Sequence, residues 1–382
     1  MLWLSAQSRT RYGRTIMTDK NINSKPRVAI GMSGGVDSSV AAAVLKERGY
    51  EVIGVTMRLW DGEEINGSIA ESTCCSLSAT EDARFVCAKL DIDYHVLDFR
   101  AEFSQYVIDY FINEYTNGRT PNPCIACNKF LKFDAMAKKA ELLNAEYVAT
   151  GHYAKVEFDN NTDRYLLKRA RADAKDQTYA LYNLTQKQLS HLLLPLGDFD
   201  SKADVRQMAE NLGLITAKKP DSQEICFVPD NDYVGFIKRH IASLPPEGNF
   251  VDIHGNVLGK HRGITNYTIG QRKGLGIAFG KPMFVIKIDA KRNEVVLGEQ
   301  GTEFSKSLLA KDINFIPFDT IDKPIRVTAK VRYSARPAAA VAEIDNDGLL
   351  KITFDEPQRA VTPGQAVVLY DGDIVVGGAT II

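Results

Sequence analysis

Three absences narrow what this chain of 382 residues can be. No stretch approaches the roughly 20 consecutive apolar residues needed to span a bilayer, so a transmembrane role is excluded on length. The formal net charge is −1, with 47 Lys and Arg against 48 Asp and Glu, so any nucleic-acid partner must be held by local patches. The Walker pattern Gly-x-x-x-x-Gly-Lys-Ser/Thr is also missing, and no lysine follows the first glycine cluster to reach a terminal phosphate. Kinase-like transfer is disfavoured.

What stands in its place is Gly31-Met32-Ser33-Gly34-Gly35-Val36-Asp37-Ser38-Ser39, after the apolar run Val28–Ile30 and before a helix-forming stretch. Strand, glycine turn and helix N-terminus together make an anion cradle. Gly34 and Gly35 are expected at dihedrals that side chains disfavour, with backbone amides approaching a phosphate. Ser33, Ser38 and Ser39 add hydroxyl donors, and Asp37 is placed to help hold magnesium or the phosphates.

From Arg27 to about Gly213 the pattern alternates strand and helix. Strands are expected at 28–30, 51–57, 94–97 and 147–150, and helices at 38–48, 78–90, 101–115 and 130–143. That order predicts a Rossmann-like, doubly wound parallel sheet in the α/β class. Ligands of such sheets sit beyond the carboxyl ends of the strands, which nominates Gly31–Ser39, the segment after Met57, and Gly151-His152 as one site. After about Lys218, glycines, prolines and short alternating runs predict a small β-rich region and then a C-terminal barrel. The expected division is an extension over 1–24, a nucleotide-binding domain over 25–217, a central domain over 218–300 and a barrel over 301–382.

Residues 1–16 carry Arg9, Arg11 and Arg14 and no acid, with a second methionine at Met17. A transit peptide and a start at Met17 both account for this. Six cysteines without a secretory signal predict a reducing, cytoplasmic setting. Cys87 lies in a helical pattern and reads as a small core residue. Cys74 and Cys75, being adjacent, do not readily share a disulfide and read as buried or incidental thiols.

Thr120-Pro121-Asn122-Pro123-Cys124-Ile125-Ala126-Cys127-Asn128 precedes the helix expected from Phe130. Two prolines stiffen the approach, and a helix start favours thiolate. The Cys-x-x-Cys pair suits redox exchange, metal ligation, or one nucleophile beside a helper. A structural zinc normally takes four protein ligands, and no second Cys-x-x-Cys exists. Cys226, in Asp221–Val228, stands alone at the join of the two halves; taken by itself it reads as a buried cysteine.

The glycine loop resembles the pyrophosphate loop of ATP pyrophosphatases. Together with Thr120–Asn128, Ala149–Ala154, Lys175-Asp176-Gln177, Asp221–Val228, Tyr267–Gly274 and Thr362-Pro363-Gly364-Gln365, it resembles the tRNA-specific 2-thiouridylase family over about 27–382. That resemblance implies ATP-dependent 2-thiolation of the wobble uridine of tRNA, with adenylation of the C2 oxygen and sulfur arriving from a persulfide. It implies Cys226 as persulfide carrier. Cys127 is implied as the nucleophile that releases sulfide or closes a disulfide with Cys226. Gly31–Ser38, Met57 and Gly151 would line the ATP site, and Asn122, Pro123 and Cys124 would face the target base. His152, Lys175, Asp176, Gln177, Arg332, Tyr333 and Gln365 would contact tRNA. Implied partners are tRNAs for lysine, glutamate and glutamine and a cysteine desulfurase or sulfur-relay protein; ATP and Mg2+ are the implied cofactors.

Many members of the family have aspartate where this chain has Cys124, and a thiol is a poor substitute as an acid/base. Cys124, Cys127 and Cys226 are therefore also candidate ligands of an iron–sulfur cluster with one open iron. Three basic runs, 164–175, 259–273 and 326–336, are candidate phosphate contacts, or alternatively solvated faces. In the last, alternation predicts one apolar face and one basic face of a strand. Another adenylating synthetase, needing neither Cys127 nor Cys226, and an ATP-gated RNA-binding protein are the competing readings.

Overall fold

The computed structural model describes residues 25–60, 64–65, 68–69, 77–221, 225–228, 230–278 and 280–382. The N-terminal extension, Cys74, Cys75 and Ser222–Glu224 lie outside the described residues.

Strand β1 (Arg27–Gly31) leads through the glycine loop into helix α1 (Val36–Glu47), followed by β2 (Glu51–Arg58), α2 (Leu77–Leu90) and β3 (Asp93–Asp98). A helical run over 100–116 and another over 123–142 come before β4 (Tyr147–Ala149). The hairpin β5 (Ala154–Asp159) and β6 (Arg164–Arg169) precedes a two-residue strand, β7 (Leu192–Leu193). The sheet order is β3-β2-β1-β4-β7, all parallel.

Alternate residues of β1 face opposite layers, as the two-residue period of a strand dictates. Val28 and Ile30 pack with Val40, Ala41 and Val44 of α1 and Val86 and Cys87 of α2. Ala29 joins Ile53, Phe103, Phe111, Leu131 and Met136 on the other face. Two covered faces are the doubly wound arrangement expected. Cys87 is fully buried, and burial pushes its thiol up to about 12, which leaves it an inert core residue.

A four-stranded sheet follows, with β8 (Gly248–Val251), β9 (Val257–His261), β10 (Met283–Asp289) and β11 (Glu294–Glu299) ordered β9-β8-β11-β10. The last six strands are β12 (Phe304–Phe315), β13 (Ile325–Lys330), β14 (Ala338–Ile344), β15 (Leu350–Arg359), β16 (Ala366–Asp371) and β17 (Ile374–Ile381). They run β12-β15-β14-β13-β16-β17, and β17 pairs back to β12, so the barrel closes without a free edge.

The barrel does not stand apart from the nucleotide half. Ile374 of β17 pairs with Lys168 of β6, and the Arg169 amide donates to the Asp373 carbonyl at 2.8 Å. One apolar cluster joins Ile125, Phe133, Leu167, Tyr179 and Leu181 to Val368, Tyr370 and Val375 of the barrel. The β5–β6 hairpin, which alternation of strand and helix did not predict, is the splice.

Candidate active site

The order in which strands are added to the sheet reverses between the parallel neighbours β1 and β4, and the loops leaving these two strands face each other. Gly34 is left-handed, with φ +67°, and a Cβ there would stand 2.2 Å from the Ala79 carbonyl oxygen. Only glycine fits. Gly35 departs from expectation: it is extended, φ −101° and ψ 167°, and serves as the uncapped N-terminus of α1. A Cβ at Gly151 would come within 2.8 Å of the Asp37 carbonyl carbon and the Ser38 nitrogen, so this glycine permits the close approach of the two loops.

The cradle is braced by its own hydroxyls. Ser38 Oγ accepts from the Ser33 amide at 3.2 Å and donates to the Gly35 carbonyl at 3.2 Å; Ser39 Oγ donates to the same carbonyl at 2.8 Å. Behind it, the Tyr94 hydroxyl donates to Thr56 Oγ1 at 2.8 Å, and Thr56 Oγ1 donates to the Met32 carbonyl at 2.8 Å.

A cavity of about 210 Å³ opens over this loop. Its walls bring together Gly31, Met32, Ser33, Asp37, Ser38, Met57, Gly151, His152 and Gln177, which the sequence nominated separately. Sequence reasoning missed Lys132, the one lysine or arginine among the described lining residues. Thr150 Oγ1 lies 2.7 Å from His152 Nδ1. Burial, and then the charge of Lys132, push the His152 imidazole well below its usual range, so it is neutral at physiological pH.

Asp37 is engaged by the protein itself. Lys202 Nζ donates to both its carboxylate oxygens at 2.7 Å, and the Tyr153 hydroxyl donates to Oδ1 at 2.7 Å. Lys202 also meets Asp221 Oδ1 at 3.0 Å; Lys175 and Arg206 meet Asp221 at 2.9 Å each. Burial alone would raise the Asp221 carboxyl, but the hydrogen bonds from Lys175 and Lys202 overcome it and hold it at about 2. Lys202 and Arg206 share a face of the helix Lys202–Asn211, capped by Ser201, and that four-residue spacing was the available sequence signal.

The second half of the site is the helix bearing Cys124 and Cys127. It begins at Pro123, earlier than the expected Phe130, because Asn122 Oδ1 accepts from the Ile125 amide at 3.2 Å and Pro123 suits the first turn. Cys124 is exposed and Cys127 buried; from Cys127 to Ala135 the helix widens to the π form. Half-buried Cys226 packs against the apolar cluster that contains Cys127, together with Ile225. Among the described residues no three His, Cys, Asp or Glu side chains converge as metal ligands. Cys124, Cys127 and Cys226 thus do not form a ready three-ligand group for an iron–sulfur cluster in this arrangement.

The barrel clamps the approach to this helix. Gln365 Nε2 donates to the Thr120 and Pro121 carbonyls at 3.0 Å each, and the Thr120 amide donates to the Pro363 carbonyl at 2.9 Å. Tyr333 is half exposed, its hydroxyl 3.5 Å from the Asp176 carbonyl, and burial followed by the charge of Asp176 raises its phenol, with a smaller contribution from Cys124. Gln177 and Tyr153 exchange backbone and amide bonds at 2.9 Å. The Asp176 carboxylate points inward, accepting from Thr178 Oγ1 at 2.6 Å and the Ala170 amide at 3.2 Å.

The basic runs differ from expectation. In 164–175 every cation has an acidic partner: Arg164 with Asp319, Lys168 with Glu157, Arg169 with Asp173, Arg171 with Asp200 and Lys175 with Asp221. The proposed basic strand face is broken, because Arg326 pairs with Asp355 and Lys330 is buried. In 259–273 His261 is a core residue, while exposed Lys260, Arg272 and Lys273 have no ion-pair partner among the described residues.

Residues 26–230 match the family described as tRNA methyl transferase HUP domain, 234–299 the tRNA methyl transferase PRC-barrel domain, and 305–381 the aminomethyltransferase β-barrel domain. The tRNA-specific 2-thiouridylase MnmA of Clostridioides difficile is 59% identical over 355 residues, covering 93% of this chain and 98% of that protein. The chain belongs to the tRNA-specific 2-thiouridylase family. The MnmA of Acetivibrio thermocellus is 58% identical over 358 residues, 94% of this chain and 99% of that one. Among the described residues no helix is long and apolar enough to cross a membrane.

Proposed function

We infer that this protein is an ATP-dependent tRNA-uridine 2-sulfurtransferase acting on the wobble uridine. The observation that carries the reading is the cavity over the glycine loop, walled on one side by the helix that starts with Cys124 and Cys127. A uracil carbonyl oxygen is a poor leaving group until it is phosphorylated. The C2 oxygen attacks the α-phosphorus of ATP, and pyrophosphate departs over the Ser33–Ser38 amides and hydroxyls. The terminal sulfur of a persulfide on Cys226 then attacks C2, AMP leaves with the former carbonyl oxygen, and the Cys127 thiolate attacks Cys226 Sγ, breaking its bond to the transferred sulfur and forming a Cys127–Cys226 disulfide. The resulting disulfide needs a thiol reductant before the next turnover.

Mg2+ would offset phosphate charge, and Asp37 would help hold it once Lys202 turns to the phosphates. The base must leave the stack to present C2, and Asn122, Pro123 and Cys124 line its approach. His152, Lys175, Asp176, Gln177, Arg332, Tyr333 and Gln365 form the reading's tRNA-side set, Asp176 acting through the position of its neighbours. Lysine, glutamate and glutamine tRNAs are the substrates in this reading, a cysteine desulfurase or sulfur-relay protein supplies sulfur, and the cytoplasm is the setting.

The test is nucleoside mass spectrometry after incubation with unmodified tRNA, ATP, Mg2+ and a persulfide-loaded donor. 2-Thiouridine formed only with ATP, in step with AMP, is the expected result; tRNA binding with neither product would favour an RNA-binding protein.

A further inference from the structure

Lys132 is half-buried in the wall of the nucleotide cavity, and its charge is felt at His152, which lines the same cavity. Lys202 bridges Asp37 and Asp221 and is not among the described lining residues of that wall. The backbone explains how Lys132 comes to face the site. In an α-helix the fifth residue onward lies about 140° round the axis, at 3.6 residues per turn. From Cys127 to Ala135 the helix is instead π-form, with bonds such as Met136 amide to Leu131 carbonyl spanning five residues. In that form the wider turn brings residues five apart closer to one face than an α-helix does, so Lys132 is brought round toward the Cys127 side. An ordinary helix would have turned it away from the thiol.

We propose that Lys132 is a further catalytic residue, whose ammonium meets the α-phosphate of the nucleotide and balances the charge that builds there as the uracil oxygen displaces pyrophosphate. The same contact steadies the AMP leaving group when sulfur arrives. The glycine loop offers amides and hydroxyls for the departing pyrophosphate, whereas Lys132 stands on the cysteine side, where the bond to the base forms and breaks. The proposal rests on the sulfurtransferase reading above.

Its test is single-turnover AMP formation at saturating tRNA by Lys132→Met and Lys132→Gln, with tRNA affinity measured separately. Removing one preorganised charge from a developing oxyanion is expected to slow AMP formation about 100-fold or more, with tRNA affinity within threefold and Lys132→Arg recovering part of the rate. In the unaltered protein, ATP should shield Lys132 from amine acetylation, read by peptide mass spectrometry; this arm needs no variant to fold. A full AMP rate in either variant, a defect confined to tRNA affinity, or acetylation indifferent to ATP would overturn the proposal. No AMP from the unaltered protein would remove the sulfurtransferase reading itself, and the Lys132 role with it.

Discussion

The phosphate loop and the cysteine loop are held in opposite ways. Around Gly31–Ser39 the loop's own hydroxyls bond to backbone three to five residues away, and the longer-range anchors, Thr56, Tyr153, Lys202 and Thr216, all come from the nucleotide half. The approach to Cys124 and Cys127 is instead tied to Gln365, 245 and 244 positions away from Thr120 and Pro121. Nucleotide binding is thereby built within the N-terminal half, while thiol placement depends on the barrel being folded and docked. The two halves of the reaction should therefore fail separately.

Cysteine substitution should separate them most sharply. Cys127→Ser and Cys226→Ser are each expected to abolish 2-thiouridine while AMP formation with tRNA continues, measured by nucleoside mass spectrometry and nucleotide chromatography. Thiolation surviving in either variant would remove that cysteine from the sulfur route.

Gly34→Ala attacks the self-contained half. The added methyl meets the Ala79 carbonyl and the left-handed backbone disfavours it, so AMP formation should fall roughly 100-fold, equivalent to about 3 kcal/mol. Cys127 alkylation, followed by mass spectrometry, should be unchanged. Gly35→Ala, at an ordinary backbone position, should be much milder.

Gln365→Ala tests the long-range half. Two hydrogen bonds of roughly 1 kcal/mol each are lost, and thiolation should drop about tenfold while AMP formation stays within threefold. A matching fall in both would mean the barrel clamp serves the nucleotide site as well.

The smallest effect expected is a pH effect. Asp221 is held below the ordinary aspartate value, so its contribution to stability is present above about 3.9 and is lost as pH falls from there toward about 2. Asp221→Asn should flatten that stretch of an acid-denaturation curve. His152 works with the same sign in a higher window: its folded-state value lies below the unfolded one, so stability declines as pH falls below about 6.5.

Legibility followed the same division. Gly34, Asp37 and Ser38 could be read because a phosphate cradle is written in consecutive residues, and the parallel sheet because its strands and helices alternate. Lys202 and Lys132 could not, since one arrives from a helix late in the domain and the other depends on a change of helical pitch that composition does not announce. The runs 164–175 and 326–336 carry less free charge than they read, because sequence shows cations without showing Asp319, Asp355 or Asp221, which fold back to pair with them. The early helix start at Pro123 was concealed by reading the prolines as a stiff approach when one of them begins the helix.

The splice between β6 and β17 gives the molecule an order of assembly. The β6 edge leaves the ribosome about 200 residues before its partner Ile374, a wait of roughly 10–40 s at about 5–20 residues per second. For nearly all of that interval Gln365 has not been made, and the Thr120–Pro121 carbonyls it will hold are unclamped. The phosphate loop can therefore mature on the nascent chain, but the thiol helix is fixed only when the last strand closes the barrel. A chain released short of its final residues would carry a finished nucleotide site and a misplaced sulfur centre.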